Sequence, residues 1–131
     1  MNYLSAEQVL FLHDRLIRIT GGSHGVRDPN RLLAAVGRPQ ATFEDQDLYP
    51  DVCYKAAALM DSLIRNHPFV DGNKRTGLVA AGLFCMRNGL RLLAEQEEAA
   101  ALALAIARGE PSIAEIAAWF ETHTASSGSA G

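Results

Sequence analysis

Apolar positions recur at helical spacing through most of the chain, and nowhere do they alternate for longer than a short hairpin needs. The first helical run is "VLFLHDRLIRI", where Val9, Leu12, Leu16 and Ile19 predict one buried stripe. Ser5 and Gln8 in front of it form a capping box, and Gly21-Gly22 ends it. The polar stretch "GGSHGVRDPN" is then a loop, closed by Asp28 as an N-cap with Pro29 at the first helical position. The helix that follows, "NRLLAAV", stops at Gly37. From Arg38 to Pro50 the periodicity fails, and the segment reads as irregular or as a small hairpin. "PDVCYKAAALMDSLIRN" is a strong helix with Val52, Ala56, Leu59, Met60 and Leu63 inward; Pro68 sets its end near His67.

Beyond it, "KRTGLVAAGLFCMRNG" is apolar on nearly every side and closed by Gly89, which puts that helix in the middle of a bundle. "LRLL" is a brief extended link, and "AEQEEAAALALAIARG" is an Ala-rich helix ending at Gly109. "SIAE" is a capping box that opens a last helix through Trp119 and Phe120. The expected class is all-α: a compact single-domain helical bundle around a buried central helix, with room for a small β-hairpin flap. Residues 1–124 form the domain, and residues 125–131 are expected to be a disordered tail.

Composition narrows the function classes. At 131 residues the chain makes one domain with a real core. A net charge of -3 argues against a protein that coats nucleic acid. The apolar runs are too short to cross a bilayer, and the N-terminus lacks the basic-then-apolar layout of a secretory signal. Cys53 and Cys85 have no C-x-x-C partner and read as two buried thiols, so the expected location is the cytoplasm.

One stretch, "HPFVDGNKRTG", departs from the pattern of its surroundings. It opens the apolar helix, with Asn73 in the place of a cap, yet Lys74 and Arg75 stand in the first turn. The helix dipole favours anions there. Either the two cations escape to solvent or an anion belongs beside them. The nearby groups favour an anion. His67 can take a proton near neutral pH, and Asp71 is a hard oxygen donor suited to Mg²⁺. Gly72 allows close backbone approach, and Lys74 and Arg75 supply point and forked phosphate contacts. A base, a metal carboxylate, an anion cradle and two cations describe phosphoryl or nucleotidyl transfer. His13, His24 and His123 share no ligand spacing and are assigned no metal.

"HPFVDGNKR" resembles the signature of the Fic/Doc family, and "YLSAEQVLFLHDRLI", "GGSHGVRDPNRLLAAVGRPQ" and "GLFCMRNGLRL" resemble its Doc branch, the death-on-curing toxins. The resemblance runs from about Tyr3 to Phe120. It implies a helical fold in which the motif loop leads into a central helix. It implies that His67 is the general base on a target hydroxyl, Phe69 anchors the loop and Asp71 holds Mg²⁺. Gly72 and Asn73 would form the anion hole, with Lys74 and Arg75 gripping the phosphates of ATP. Arg38 and Gln40 fall in the region that in this family makes a flap aligning the target.

Family members that transfer AMP have Gly after the motif Asn and a second Arg three residues after the first. Here those places hold Lys74 and Leu78. Both departures match the Doc branch, which implies transfer of the γ-phosphate of ATP to a threonine of elongation factor Tu. AMP transfer is the alternative, and a non-catalytic nucleotide-sensing module is the third. No self-inhibitory Ser/Thr-x-x-x-Glu-Gly/Asn segment is present, so the resemblance implies a separate Phd-type antitoxin.

Overall fold

The computed structural model describes residues 1–127. Six helices make up most of it: α1 (Ala6–Thr20), α2 (Pro29–Gly37), α3 (Val52–Arg65), α4 (Asn73–Arg87), α5 (Gln96–Ala107) and α6 (Ile113–Thr122). A 3₁₀ turn, Arg38–Gln40, leads from α2 into a hairpin of β1 (Thr42–Phe43) and β2 (Gln46–Asp47). A second antiparallel pair joins β3 (Leu90–Leu92) to β4 (Thr124–Ser126), with Leu90 opposite Ser126 and Leu92 opposite Thr124. The helix starts follow the local signals. Ser5 and Ser112 accept from the N–H groups of Gln8 and Glu115 in complete capping boxes, and Asp28 accepts from Asn30 and Arg31.

The central helix is α3. Every residue from Lys55 to Ile64 is buried, and α3 packs against α2, α4, α5 and α6. The sequence pattern had put α4 there. Instead α4 buries one face, from Asn73 through Gly77 and Ala81 to Cys85, and leaves Val79 and Met86 exposed. Its apolar circumference exceeds its burial because Leu78 and Val79 face a cavity described below. On α1 the buried stripe is Val9, His13 and Ile17, and Ile19 is 74% exposed. The helix is turned by about one position because His13 is drawn inward, for reasons that lie in the site.

Residues 125–127 do not follow the tail expectation. Ala125 and Ser126 belong to β4, and Ser127 N–H donates to the Gly89 carbonyl at 2.9 Å. The remaining positions of that segment, 128–131, lie outside the described residues. Cys53 and Cys85 are both buried and free. Burial pushes the Cys85 thiol up to about 12 and raises that of Cys53, so both stay protonated at neutral pH. Among the described residues, no helix is long and apolar enough to cross a membrane.

Candidate active site

The chain leaves α3 at Asn66 and turns at His67, whose φ is +48°. That left-handed conformation costs a non-glycine residue about 1–2 kcal/mol. Pro68 already bars His67 from the right-handed helical region. The loop between α1 and α2 holds the turn in place. Arg27 Nε donates to the His67 carbonyl at 2.9 Å, and Arg27 and Arg31 both donate to that of Asn66. Arg27 and Asp28 N–H donate to the Pro68 carbonyl at 2.7 and 3.1 Å. Val70 N–H donates to Gly25, and Val26 forms a β-bridge with Phe69. The segment "GGSHGVRD" thus lies along the motif loop, joined to it by one bridge at Val26 and by the hydrogen bonds on either side, a role its polar sequence did not reveal.

Phe69 is buried, which is worth about 2 kcal/mol of apolar transfer and anchors the loop. Asn73 does not cap α4, contrary to the sequence expectation. Gly72, at φ +77°, takes the cap position, and no side chain caps the helix. The Asn73 side chain turns back instead: Oδ1 accepts from Phe69 N–H and Nδ2 donates to the Phe69 carbonyl, both at 3.0 Å. It is only 6% exposed, because it closes the motif loop from inside. The first N–H groups of α4 are therefore left for an anion.

The same amide fixes the state of His67. With the Asn73 orientation set at both ends by Phe69, its remaining N–H points at His67 Nδ1, 3.2 Å away. Nδ1 accepts, so the neutral ring carries its proton on Nε2 and its lone pair on Nδ1. The His67 residue is exposed.

Asp71 is exposed, with Oδ2 accepting from Ser23 N–H at 3.1 Å and Oδ1 from Gly72 N–H at 2.8 Å. The Ser23 and Gly72 N–H groups, with Arg75 nearby, hold its carboxyl below the usual carboxylate range. Each oxygen keeps a lone pair for a cation. Among the described residues no group of three or more His, Cys, Asp or Glu gathers for a metal. One ionised, accessible carboxylate suits Mg²⁺ shared with phosphates and water rather than a protein-caged ion.

Lys74 and Arg75 are exposed at the head of α4, and Arg75 Nη1 donates to Thr20 Oγ1 at 2.6 Å. They stand at the polar rim of a cavity of about 470 Å³ between α1, α4 and α5. Its walls are Leu16, Leu78, Val79, Ala100 and Ala103, with Thr20 and Gln96 adding polar groups. The cations therefore border a concavity of the size range that takes small ligands.

A family model described as the Fic/DOC family matches residues 3–85, more than half of the chain. The chain belongs to the Fic/Doc family. It is 37% identical to "Protein kinase doc" of Escherichia phage P1 over 117 residues, 89% of this chain and 91% of that protein. It is 55% identical to "Toxin Doc" of Mycolicibacterium smegmatis over 75 residues, 57% of this chain and 58% of that protein. The match thus spans less than two thirds of the mycobacterial relative. Both relatives place the chain on the Doc branch of Fic/Doc.

Within this Fic/Doc chain, His67, Phe69, Asp71, Gly72, Asn73, Lys74 and Arg75 fall on one loop and one helix end. Arg38 does not join them. Its Nε donates to Tyr49 Oη at 3.0 Å, and its Nη1 donates to Asp61 Oδ2 and Ser62 Oγ, both at 2.9 Å. Burial lowers its pKa, but the Tyr49 hydroxyl and Asp61 outweigh that and raise it. Arg38 is a strut between the hairpin base and α3. Gln40 is exposed at the end of the 3₁₀ turn, beside β1. Two further residues hold buried contacts that the sequence did not signal. His13 stacks on Phe69, and Lys55, only 1% exposed, donates to Asp47 Oδ2 and to the Pro39 carbonyl.

Proposed function

We propose that this chain is the toxin of a toxin–antitoxin module and acts as an ATP-dependent protein phosphotransferase. It moves the γ-phosphate of ATP to a Ser or Thr hydroxyl of a translation protein, with elongation factor Tu the expected acceptor. The observation that carries the reading is the head of α4: an uncapped helix end, Lys74, Arg75 and Asp71 together, with His67 on the same loop. The name of the phage relative, a protein kinase, supports phosphate transfer. So do Lys74 and Leu78, which replace the Gly and second Arg of AMP-transferring family members.

The residues divide the work. The N–H groups of α4, Lys74 and Arg75 bind and orient phosphate oxygens, and the cavity beside them receives the rest of the nucleotide. His67 takes the proton of the acceptor hydroxyl, whose oxygen forms the new bond to the γ-phosphorus as the bond to the ADP oxygen breaks. The lone pair that receives this proton is on Nδ1, so the hydroxyl replaces the long Asn73 contact as it docks. Asp71 would hold Mg²⁺, which when bound neutralises charge on the phosphate oxygens.

The test uses ATP labelled at the α or γ position, with a translation extract as acceptor. Label transferred from γ, and lost in His67→Ala with folding intact, is the expected result. Label from α would establish AMP transfer instead. No label from either position, in protein free of its partner, would leave a non-catalytic module. A toxin also needs a restraint, for which we propose a Phd-type antitoxin. Expression of the chain alone should arrest bacterial growth, and good expression without arrest would overturn the toxin reading.

A further inference from the structure

The Asp71–Gly72 peptide is gripped at both ends. Its N–H, that of Gly72, donates to Asp71 Oδ1 at 2.8 Å, and its carbonyl, that of Asp71, lies 2.8 Å from Nε2 of His13. His13 is on α1, 58 residues away in sequence, and is 4% exposed. A carbonyl only accepts, so the bond requires the proton on His13 Nε2. The imidazole also lies on the Phe69 ring, with centroids 3.8 Å apart and planes within 5° of parallel. A Cβ at Gly72 would come within 3.7 Å of His13 Cδ2 and Nε2, so the ring backs the helix cap as well.

We infer that His13 is a positioning residue for the phosphotransfer site, an inference that rests on the reading above. Its hydrogen bond and stack fix the Asp71–Gly72 peptide, and through that peptide the direction of the Asp71 carboxylate and of the N–H groups heading α4. A core filler needs no donor at this place. Folding exchanges a bond to water for this one, so the His13 bond by itself adds little net stability. What water does not supply is a fixed peptide plane. If that peptide turned over, its N–H would leave Oδ1 and the carboxylate would lose its aim. Outer partners of this kind set ligand geometry without touching the ligand.

Two variants separate the parts. His13→Phe keeps a ring on Phe69 and lacks the donor; His13→Gln keeps a donor near the Nε2 position and lacks the ring. Calorimetry of Mg–ATP binding should show affinity down about tenfold or more in His13→Phe, the range typical of outer-shell losses. Its melting temperature should stay close to that of the parent chain, and His13→Gln should regain most of the affinity. Equal binding by His13→Phe and the parent chain, or no recovery in His13→Gln, would overturn the assignment. Should His13→Phe fail to fold, nitrogen NMR of the unaltered protein decides: an Nε2–H tautomer at His13 supports the assignment and an Nδ1–H tautomer removes it. Parent chain that binds no Mg–ATP at all would instead remove the phosphotransfer reading.

Discussion

Gly22 shows how narrowly the Asp71 carboxylate is placed. Its φ is +113°, and a Cβ there would lie 2.6 Å from Asp71 Oδ2 and 3.2 Å from Ile17 Cδ1. The carboxylate is the exposed far end of its side chain, so in Gly22→Ala it is the carboxylate that yields, away from Ser23 N–H. That N–H is the largest cause of the lowered Asp71 pKa. A folded-state pKa below the unfolded one gives a contribution to stability that is complete above the unfolded value. It is lost as pH falls through the folded value. Gly22→Ala should therefore raise the Asp71 titration midpoint toward the ordinary carboxylate value and weaken Mg–ATP binding. The positive φ adds about 1–3 kcal/mol of backbone strain to its cost in stability. Carboxyl carbon NMR across the acid range reads the midpoint directly. An unmoved midpoint would show that Ser23 does not hold this carboxylate.

At the level of elements, the β1–β2 hairpin is the least self-sufficient part of the fold. Its strands have two residues each, and its turn puts Glu44 and Asp45 at φ +52° and +64°, where glycine or asparagine is preferred. Its stability comes from its base, where Arg38 and Lys55 tie it to α3. The two halves of the Lys55–Asp47 pair are not equivalent. Asp47→Ala leaves a buried ammonium with only the Pro39 carbonyl and the face of the Tyr3 ring, at a cost of about 3 kcal/mol. Lys55→Met removes the charge and keeps the volume, costing about 1 kcal/mol, chiefly the donor lost to Pro39. Urea unfolding should rank Asp47→Ala as the less stable variant, and the reverse order would mean that water reaches Lys55. The same contrast explains what was legible in the sequence. Capping boxes at Ser5 and Ser112, the Asp28-Pro29 start and the residue order of the His67–Arg75 motif are local signals, each carried by a few consecutive residues. Lys55, Arg38 and His13 carry no local sign of their roles. Their partners are set by tertiary packing, and a cation or imidazole on a helix is ordinarily read as solvated. Asn73 misled for a related reason: its local role as a cap was available, but Phe69 offered its side chain both a donor and an acceptor.

At the scale of the whole molecule, α4 joins the candidate site to a knot made by Asn2, Asn88 and the β3–β4 pair. Beyond its far end, Asn88 exchanges hydrogen bonds with Asn2, whose side chain also donates to the Arg87 carbonyl, and β3 pairs with β4. At 1.5 Å per residue, the 15 residues of α4 set knot and site about 22 Å apart. Perturbations that distant, with no shared partner, should add independently. A chain ending at His123 loses the β3–β4 ladder and the Ser127 bond to Gly89. At about 1 kcal/mol net per hydrogen bond, that is a loss of about 3 kcal/mol. Mg–ATP at about 100 times its Kd should contribute about 2.7 kcal/mol to either form. The shortened chain should then melt several degrees lower, with the nucleotide-induced rise in Tm unchanged. A rise that shrank with the truncation would show that the knot holds the head of α4 in place. The site would then depend on Asn2 and the β3–β4 pair, not only on the loop of α1–α2 that lies against it.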